Sequence, residues 1–215
     1  MAIFPGSAIP SAAEDYTIDN SLRFNDGDSA TLNRTFSAGN QQVFTVSSWV
    51  KLGNVGTGDQ TVGLLGEWED IDNRSYITFG SYCRVLSEDS GSDVGNYQTD
   101  AVFRDPSAWY HVVFSIDVTQ SVAADRVKIY VNGVREDITI STNWAEDTNT
   151  RFNAAREYFI GKIVGGGGSS VYADGYLAEY YFIDGTAYDA DDFGELDSTT
   201  NQWIPLDSDD VKDAV

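Results

Sequence analysis

From Ser21 onward the chain breaks into short runs rich in Val, Ile, Thr, Tyr, Phe and Trp, separated by clusters of Gly, Asn and Asp. Branched and aromatic side chains pack well on a pleated surface and Gly, Asn and Asp supply turn geometry, so the pattern is that of strands joined by turns. Strands are predicted over Ser21–Asn25, Ala30–Phe36, Val43–Leu52, Thr61–Trp68, Ser75–Phe79, Tyr82–Leu86, Tyr97–Phe103, Trp109–Val118, Arg126–Val131, Tyr158–Ile163 and Gly175–Ile183. In the run Arg126–Val131, Val127, Ile129 and Val131 share one face and Arg126, Lys128 and Tyr130 the other, which predicts a half-buried strand. Asn132-Gly133 follows at once. That dipeptide readily takes the positive φ values of a type I′ turn, so Val134–Ile140 is predicted to return antiparallel. The run Trp109–Asp117 places Tyr110, Val112, Phe114 and Ile116 on one face and Trp109, His111, Val113, Ser115 and Asp117 on the other. Apolar residues on both sides predict a mid-sheet strand covered on both faces.

The interruptions complete an all-β reading: a two-sheet antiparallel jelly-roll sandwich with little helix, its domain spanning residues 21–195. Gly165–Ser170, a Gly-Gly-Gly-Gly-Ser-Ser run, is predicted to be a surface loop, and the absence of a following Lys-Ser or Lys-Thr argues against a phosphate cradle. Asp189–Gly194 reads as one helical turn with Asp189 as N-cap. Residues 196–215 are expected to form a C-terminal tail. Residues 1–20 have neither strand nor helix period, and Pro5 and Pro10 restrict them locally, so they read as an extended arm. Ile3, Phe4 and Ile9 are apolar residues that cannot build a core within that segment, so they are expected to dock on a neighbouring subunit. The alternative is that the arm covers its own sheet edge.

Composition narrows the chemistry. A chain of 215 residues fits one large sandwich without any covalent staple. Its single cysteine, Cys83, excludes an intrachain disulfide, and its single histidine, His111, removes the usual zinc sites and weakens proposals that need a His base. Thirteen Lys and Arg stand against 34 Asp and Glu, a net charge of -21 that repels nucleic acid and anionic membrane. Solubility accounts for that charge, and acidic cation sites are the competing explanation. The first residues have no basic segment and no long apolar core, so no signal peptide is expected, and neither is membrane insertion. Synthesis as a soluble product in the cytoplasm follows as an expectation.

Several blocks together resemble the laminin-G-like, concanavalin A-like jelly-roll domain: Phe44-Thr-Val-Ser-Ser-Trp-Val-Lys51, Arg104-Asp-Pro-Ser-Ala-Trp-Tyr-His-Val-Val113, Asp125-Arg-Val-Lys-Ile-Tyr-Val-Asn-Gly133, Tyr158-Phe-Ile-Gly161 and Asp174-Gly-Tyr-Leu-Ala-Glu-Tyr-Tyr-Phe-Ile-Asp-Gly185. Their order and spacing match from about Ser21 to Ile183. The opening Asn20-Ser-Leu-Arg-Phe-Asn-Asp-Gly27 and the closing Gln202-Trp-Ile-Pro205 also resemble virion proteins of tailed bacteriophages, marine ones especially. This second resemblance implies a virion location on a tail fibre, head fibre or other appendage, with other virion subunits as partners and homo-oligomers on the particle. In similar phage proteins more chain follows Gln202–Pro205, so a fragment or short form is expected.

The resemblance also directs the search for chemistry. Concanavalin A-like glycoside hydrolases place acids at alternate strand positions, and the nearest run here is Glu67-Trp-Glu-Asp-Ile-Asp-Asn73. Glu67 and Glu69 can share a face, but Asp70 breaks the alternation and the required later Glu is absent, so no catalytic residues are expected. A nucleophile relay through His111 lacks a Gly-x-Ser-x-Gly elbow. Laminin-G-like domains often hold Ca2+ at the sandwich rim, and three oxygen-rich clusters fit that role: Asn25, Asp26 and Asp28; Asp70, Asp72 and Asn73; and Asp184, Asp189, Asp191 and Asp192. Asp70, Asp72 and Asn73 are the metal candidates, although each cluster reads first as a solvated acidic turn. Glycan binding needs an exposed aromatic platform; Trp144 and Tyr97 are the candidates, while Trp49 and Trp109, inside strands, are assigned to the core. Two non-enzymatic functions remain open: a lectin-like module for host-surface polysaccharide, or a capsid or tail decoration protein without a glycan ligand.

Overall fold

The structure is a computed structural model that describes residues 16–54, 62–165 and 167–215. The expected residues Ile3, Phe4 and Ile9 of the arm lie outside the described residues. In chain order the strands are β1 (Leu22–Phe24), β2 (Leu32–Thr35), β3 (Val43–Leu52), β4 (Val62–Asp70), β5 (Asn73–Phe79), β6 (Cys83–Asp89), β7 (Ser92–Thr99), β8 (Trp109–Asp117) and β9 (Val127–Val131). They continue as β10 (Val134–Arg135), β11 (Ile138–Thr142), β12 (Glu157–Ile160), β13 (Lys162–Val164), β14 (Ser170–Tyr172), β15 (Gly175–Asp184), β16 (Gly194–Leu196) and β17 (Trp203–Pro205). One helix, α1 (Ser208–Ala214), follows Asp207, whose side chain accepts from the Asp209 N–H.

A six-stranded sheet in the order β1-β15-β3-β8-β9-β10 faces a seven-stranded sheet in the order β11-β7-β6-β5-β4-β12-β2. The core fills the space between them. Phe44, Val46 and Val50 of β3 and Val112, Phe114 and Ile116 of β8 meet Leu65, Ile77, Val85 and Tyr97 from the opposite sheet in one buried cluster. Each such side chain contributes roughly 1.5–3 kcal/mol of burial free energy. β8 sits mid-sheet between β3 and β9, as its two apolar faces required.

The outer face of each sheet is partly covered as well. Over the six-stranded sheet, Val113 and Tyr130 are packed beneath Phe193, Trp203, Leu206 and Val211. Residues 196–215, expected to form a C-terminal tail, supply Trp203, Leu206 and Val211 of this layer. Over the seven-stranded sheet, the β13–β14 hairpin sets Ile163 and Val171 on Tyr76 and Leu86. The hairpin approaches β4 at Gly66, where an added Cβ would stand 2.6 Å from the Lys162 carbonyl oxygen. Such a contact leaves room for glycine alone.

Local differences from the sequence pattern have local causes. Asn132 and Gly133 take φ values of 49° and 79°, as the turn prediction required. The return strand β10 pairs with β9 for two residues only, and the chain then crosses so that β11 pairs with β7 in the other sheet. The predicted run Tyr158–Ile163 is broken at Gly161, whose φ of 83° turns the chain out of β12 into β13. β7 begins at Ser92, five residues before its predicted start, because Ser90 and Gly91 (φ 52° and 74°) make a two-residue turn from β6. The helical turn falls at Ala190–Asp192 as a 3-10 turn, with Asp189 and Asp192 capping each other reciprocally.

Among the described residues, β1 and β2 end their respective sheets at one edge of the sandwich. Leu22 and Leu32 are each 48% exposed there and flank a cleft of about 440 Å³ with Phe24, Ile160, Leu177 and Tyr180.

Candidate functional site on the outer face of the six-stranded sheet

The alternation of β3 sends Phe44, Val46, Val50 and Leu52 inward and Trp49 and Lys51 outward. Antiparallel register then aligns outward residues of neighbouring strands. Arg23 of β1 faces Tyr176 of β15, Tyr176 faces Lys51, and Lys51 faces Trp109 of β8, making one cross-strand row. The next row sets Ala178, Trp49 and His111 side by side.

Aromatic surface dominates this region. The Trp109 ring, 36% exposed, lies 6.4 Å from that of Tyr176, and the Arg23 guanidinium sits 5.8 Å over the Tyr176 ring. Trp49 is buried against the His111 ring at 5.1 Å. Residues 16–21 and Pro205 pass over this surface and enclose a pocket of about 310 Å³ with Trp49, Trp109 and Ala178. Thr17, Asp19, Asn20 and Ser21 bring polar groups to its wall. An aromatic floor with a few convergent polar groups can hold the C–H face of a sugar ring while its hydroxyls are hydrogen-bonded. Trp109 is thus not a core residue, contrary to its sequence assignment. Its position on the face opposite Tyr110, Val112, Phe114 and Ile116 was the signal that could have found it.

His111 anchors the floor from behind. The Trp203 indole N–H donates to Nδ1 at 3.0 Å, so the neutral ring carries its proton on Nε2, which lies 3.0 Å from the Ser47 hydroxyl. Burial pushes the His111 pKa down to about 3. No hydroxyl nucleophile relay is formed, because the proton-accepting nitrogen is occupied by the indole.

The expected platform at Trp144 and Tyr97 is corrected. Trp144 is 1% exposed and Tyr97 fully buried. Their rings pack at 5.1 Å, the Tyr97 hydroxyl donates to Asn143 Oδ1 at 2.6 Å, and it accepts from the Trp144 backbone N–H at 2.8 Å. Desolvation pushes the Tyr97 hydroxyl up to about 12. Gly95 makes the burial feasible, since any Cβ there would run into the Trp144 ring.

Asp70, Asp72 and Asn73 form a turn closed on itself: Asp70 Oδ1 accepts from the Asp72 N–H at 2.9 Å and from Asn73 Nδ2 at 2.8 Å. Asn25 donates to Asp28, and Asp184 Oδ1 accepts from the Asn40 N–H and from Asn153 Nδ2, both at 2.7 Å. Among the described residues no group of three or more His, Cys, Asp or Glu side chains is arranged to hold a metal ion.

Glu67 and Glu69 do share a face, at one rim of the sandwich. Arg151 holds Glu67 at 2.7 Å and Glu69 at 2.9 Å, and Arg156 pairs with both carboxylates. Hydrogen bonds from Arg151 and then Arg156 hold the Glu69 pKa below the usual carboxylate range. A general acid for glycoside hydrolysis needs the opposite shift.

Comparison with known proteins places this geometry. The family described as the concanavalin A-like lectin/glucanases superfamily, in its laminin G group, matches residues 24–191. A comparison with curated protein sequences finds no significant match. Among solved structures, domains LG4-5 of the mouse laminin alpha1 chain align with a TM-score of 0.55 at 9% identity, over 84% of this chain and 46% of that one. The full-length tailspike protein 2 of Escherichia coli O157:H7 bacteriophage CAB120 aligns with a TM-score of 0.50 at 11% identity, over 80% and 23%. The binding domain of botulinum neurotoxin DC, in complex with rat synaptotagmin II, aligns with a TM-score of 0.50 at 12% identity, over 75% and 38%. The chain spans less than half of each of these three structures, and at such identities the likeness is one of fold. With the match extending over most of the sandwich, the chain belongs to the concanavalin A-like lectin/glucanase superfamily.

Proposed function

We propose that this chain is a non-catalytic, lectin-like module that binds saccharide in the pocket over Trp49 and Trp109, and that it works on a phage virion appendage in host-surface attachment. The carrying observation is the half-exposed Trp109 beside a polar wall of Asp19, Asn20 and Ser21, in a pocket of about 310 Å³. The phage placement is supported by the blocks at Asn20–Gly27 and Gln202–Pro205 that resemble tailed-phage virion proteins. The fold likeness to a phage tailspike is compatible with it. A non-catalytic role is supported by the arginine-bound carboxylates of Glu67 and Glu69. No divalent cation enters the reading, so binding should survive a chelator.

The test is retention of the purified protein on a glycan array and on isolated surface polysaccharides of candidate host cells. Trp109→Ala should weaken retention at least tenfold with the melting temperature unchanged, since the ring is on the surface. Absence of any saccharide binding by the wild type would overturn the proposal, as would turnover of alginate, agarose, carrageenan or laminarin that disappears in Glu67→Gln or Glu69→Gln.

A second reading, a decoration protein bound to other virion subunits, has its own observation: the apolar cleft beside β1 and β2, where Leu22 and Leu32 are exposed and no further strand pairs with either edge among the described residues. Such an edge can accept an extended segment of a partner. Stable association with capsid or tail subunits, without saccharide affinity, would favour it.

A further inference from the structure

We infer that the saccharide is acidic and at least two residues long, with one ring in the Trp49–Trp109 pocket and a neighbouring carboxylate or sulfate held by Lys51 and Arg23. The inference rests on the saccharide reading above and adds the ligand's charge and its orientation. The chain has 13 Lys and Arg against 34 Asp and Glu, so acids outnumber bases by more than two to one. Among the described residues, Arg74, Arg126, Lys128, Arg135, Arg151, Arg156 and Lys212 each form an ion pair with Asp or Glu within 4.0 Å. Among the described residues neither Arg23 nor Lys51 makes such a pair. Both occupy the same face, on either side of Tyr176, in strands that are immediate neighbours of β15. Their backbone positions are therefore about two strand spacings, roughly 10 Å, apart, which two long side chains can close on one anionic group.

The surroundings set the direction of the ligand. Asp19 lines the pocket, whereas Lys51 and Arg23 lie on the row beyond it, with Trp109 shared between pocket and row. A neutral ring fits beside Asp19, and the acidic group belongs on the cationic row. Asp105 is close enough to Lys51 to feel its charge, although hydrogen bonds from Ser107 act on that carboxylate more strongly. An overall charge of -21 opposes long-range approach of a polyanion, so the contact must be short-range and selective.

The experiment compares alginate and sulfated carrageenan oligosaccharides with their carboxyl-reduced or desulfated counterparts, by calorimetry at low salt. Wild-type protein should bind an acidic form at least tenfold more tightly than its neutral counterpart. Lys51→Gln and Arg23→Gln should erase that preference, bringing acidic and neutral forms to equal affinity, and Trp109→Ala should lose both ligands. Equal affinity for the acidic and neutral forms, still sensitive to Trp109→Ala, keeps the pocket and overturns the inference. A preference for acidic forms that survives both cation substitutions also overturns it. Failure to bind any saccharide overturns the pocket as well.

Discussion

The imidazole of His111 is held between the Ser47 hydroxyl and the Trp203 indole, with its pKa lowered to about 3 by burial. In the unfolded chain the same group titrates near 6.5. Because the folded value is the lower one, the unfolded state takes up the proton first as pH falls. The stability His111 supports is complete above about pH 6.5 and is lost progressively toward pH 3. Between pH 7 and pH 5 this one group should cost about 2 kcal/mol, measurable as a lower urea midpoint, and His111→Gln should flatten that part of the profile. An unchanged slope in the variant would contradict the buried neutral ring. The sequence placed His111 on a strand covered on both faces, but its partner Trp203 lies far away in the chain and no local pattern could announce it. Trp144 was misjudged for a related reason: the polar residues around it read as a surface loop. The missing signal was Gly95, a glycine on the inward face of β7 that leaves the indole its place on the sheet. Gly95→Ala should destabilise the protein by about 2–3 kcal/mol, as overpacking at a filled site does. Thermal or urea unfolding of the variant would measure it.

Elements built from local rules were legible, and elements defined by what they cover were not. β3, β8 and β9 follow their alternation closely, because branched residues at every second position fix both the strand and its faces. The Asn132-Gly133 turn was equally legible, but β11's departure to the other sheet depends on partners in β7 that the turn does not encode. The C-terminal layer is the clearest omission. Trp203, Leu206 and Val211 follow neither a strand nor a helix period, yet together they cover Val113 and Tyr130. Removing residues 197–215 should therefore expose an apolar sheet face. The expected result is a fall in melting temperature of about 10 °C, with new binding of a hydrophobic dye. If the shortened chain melts like the intact one, the layer contributes nothing to stability.

At the scale of the whole molecule, the fold class followed from the strand pattern, whereas the pocket did not, because it joins parts that only the tertiary structure brings together. The net charge of -21 acts at this scale too. Self-repulsion should make the melting temperature rise as NaCl increases from about 10 to 300 mM, since screening relieves the excess of like charge; a fall would mean that the rim ion pairs of Arg151 and Arg156 outweigh it. The pocket has a further consequence, in the order of synthesis. Its floor residues Trp49 and Trp109 are polymerised early and its first wall, residues 16–21, earlier still, but its last wall is Pro205. An elongating chain on the ribosome therefore holds an unfinished site until the segment around Pro205 has emerged and settled on the sheet. A chain that stops short of Pro205 therefore carries the floor of the pocket without its last wall.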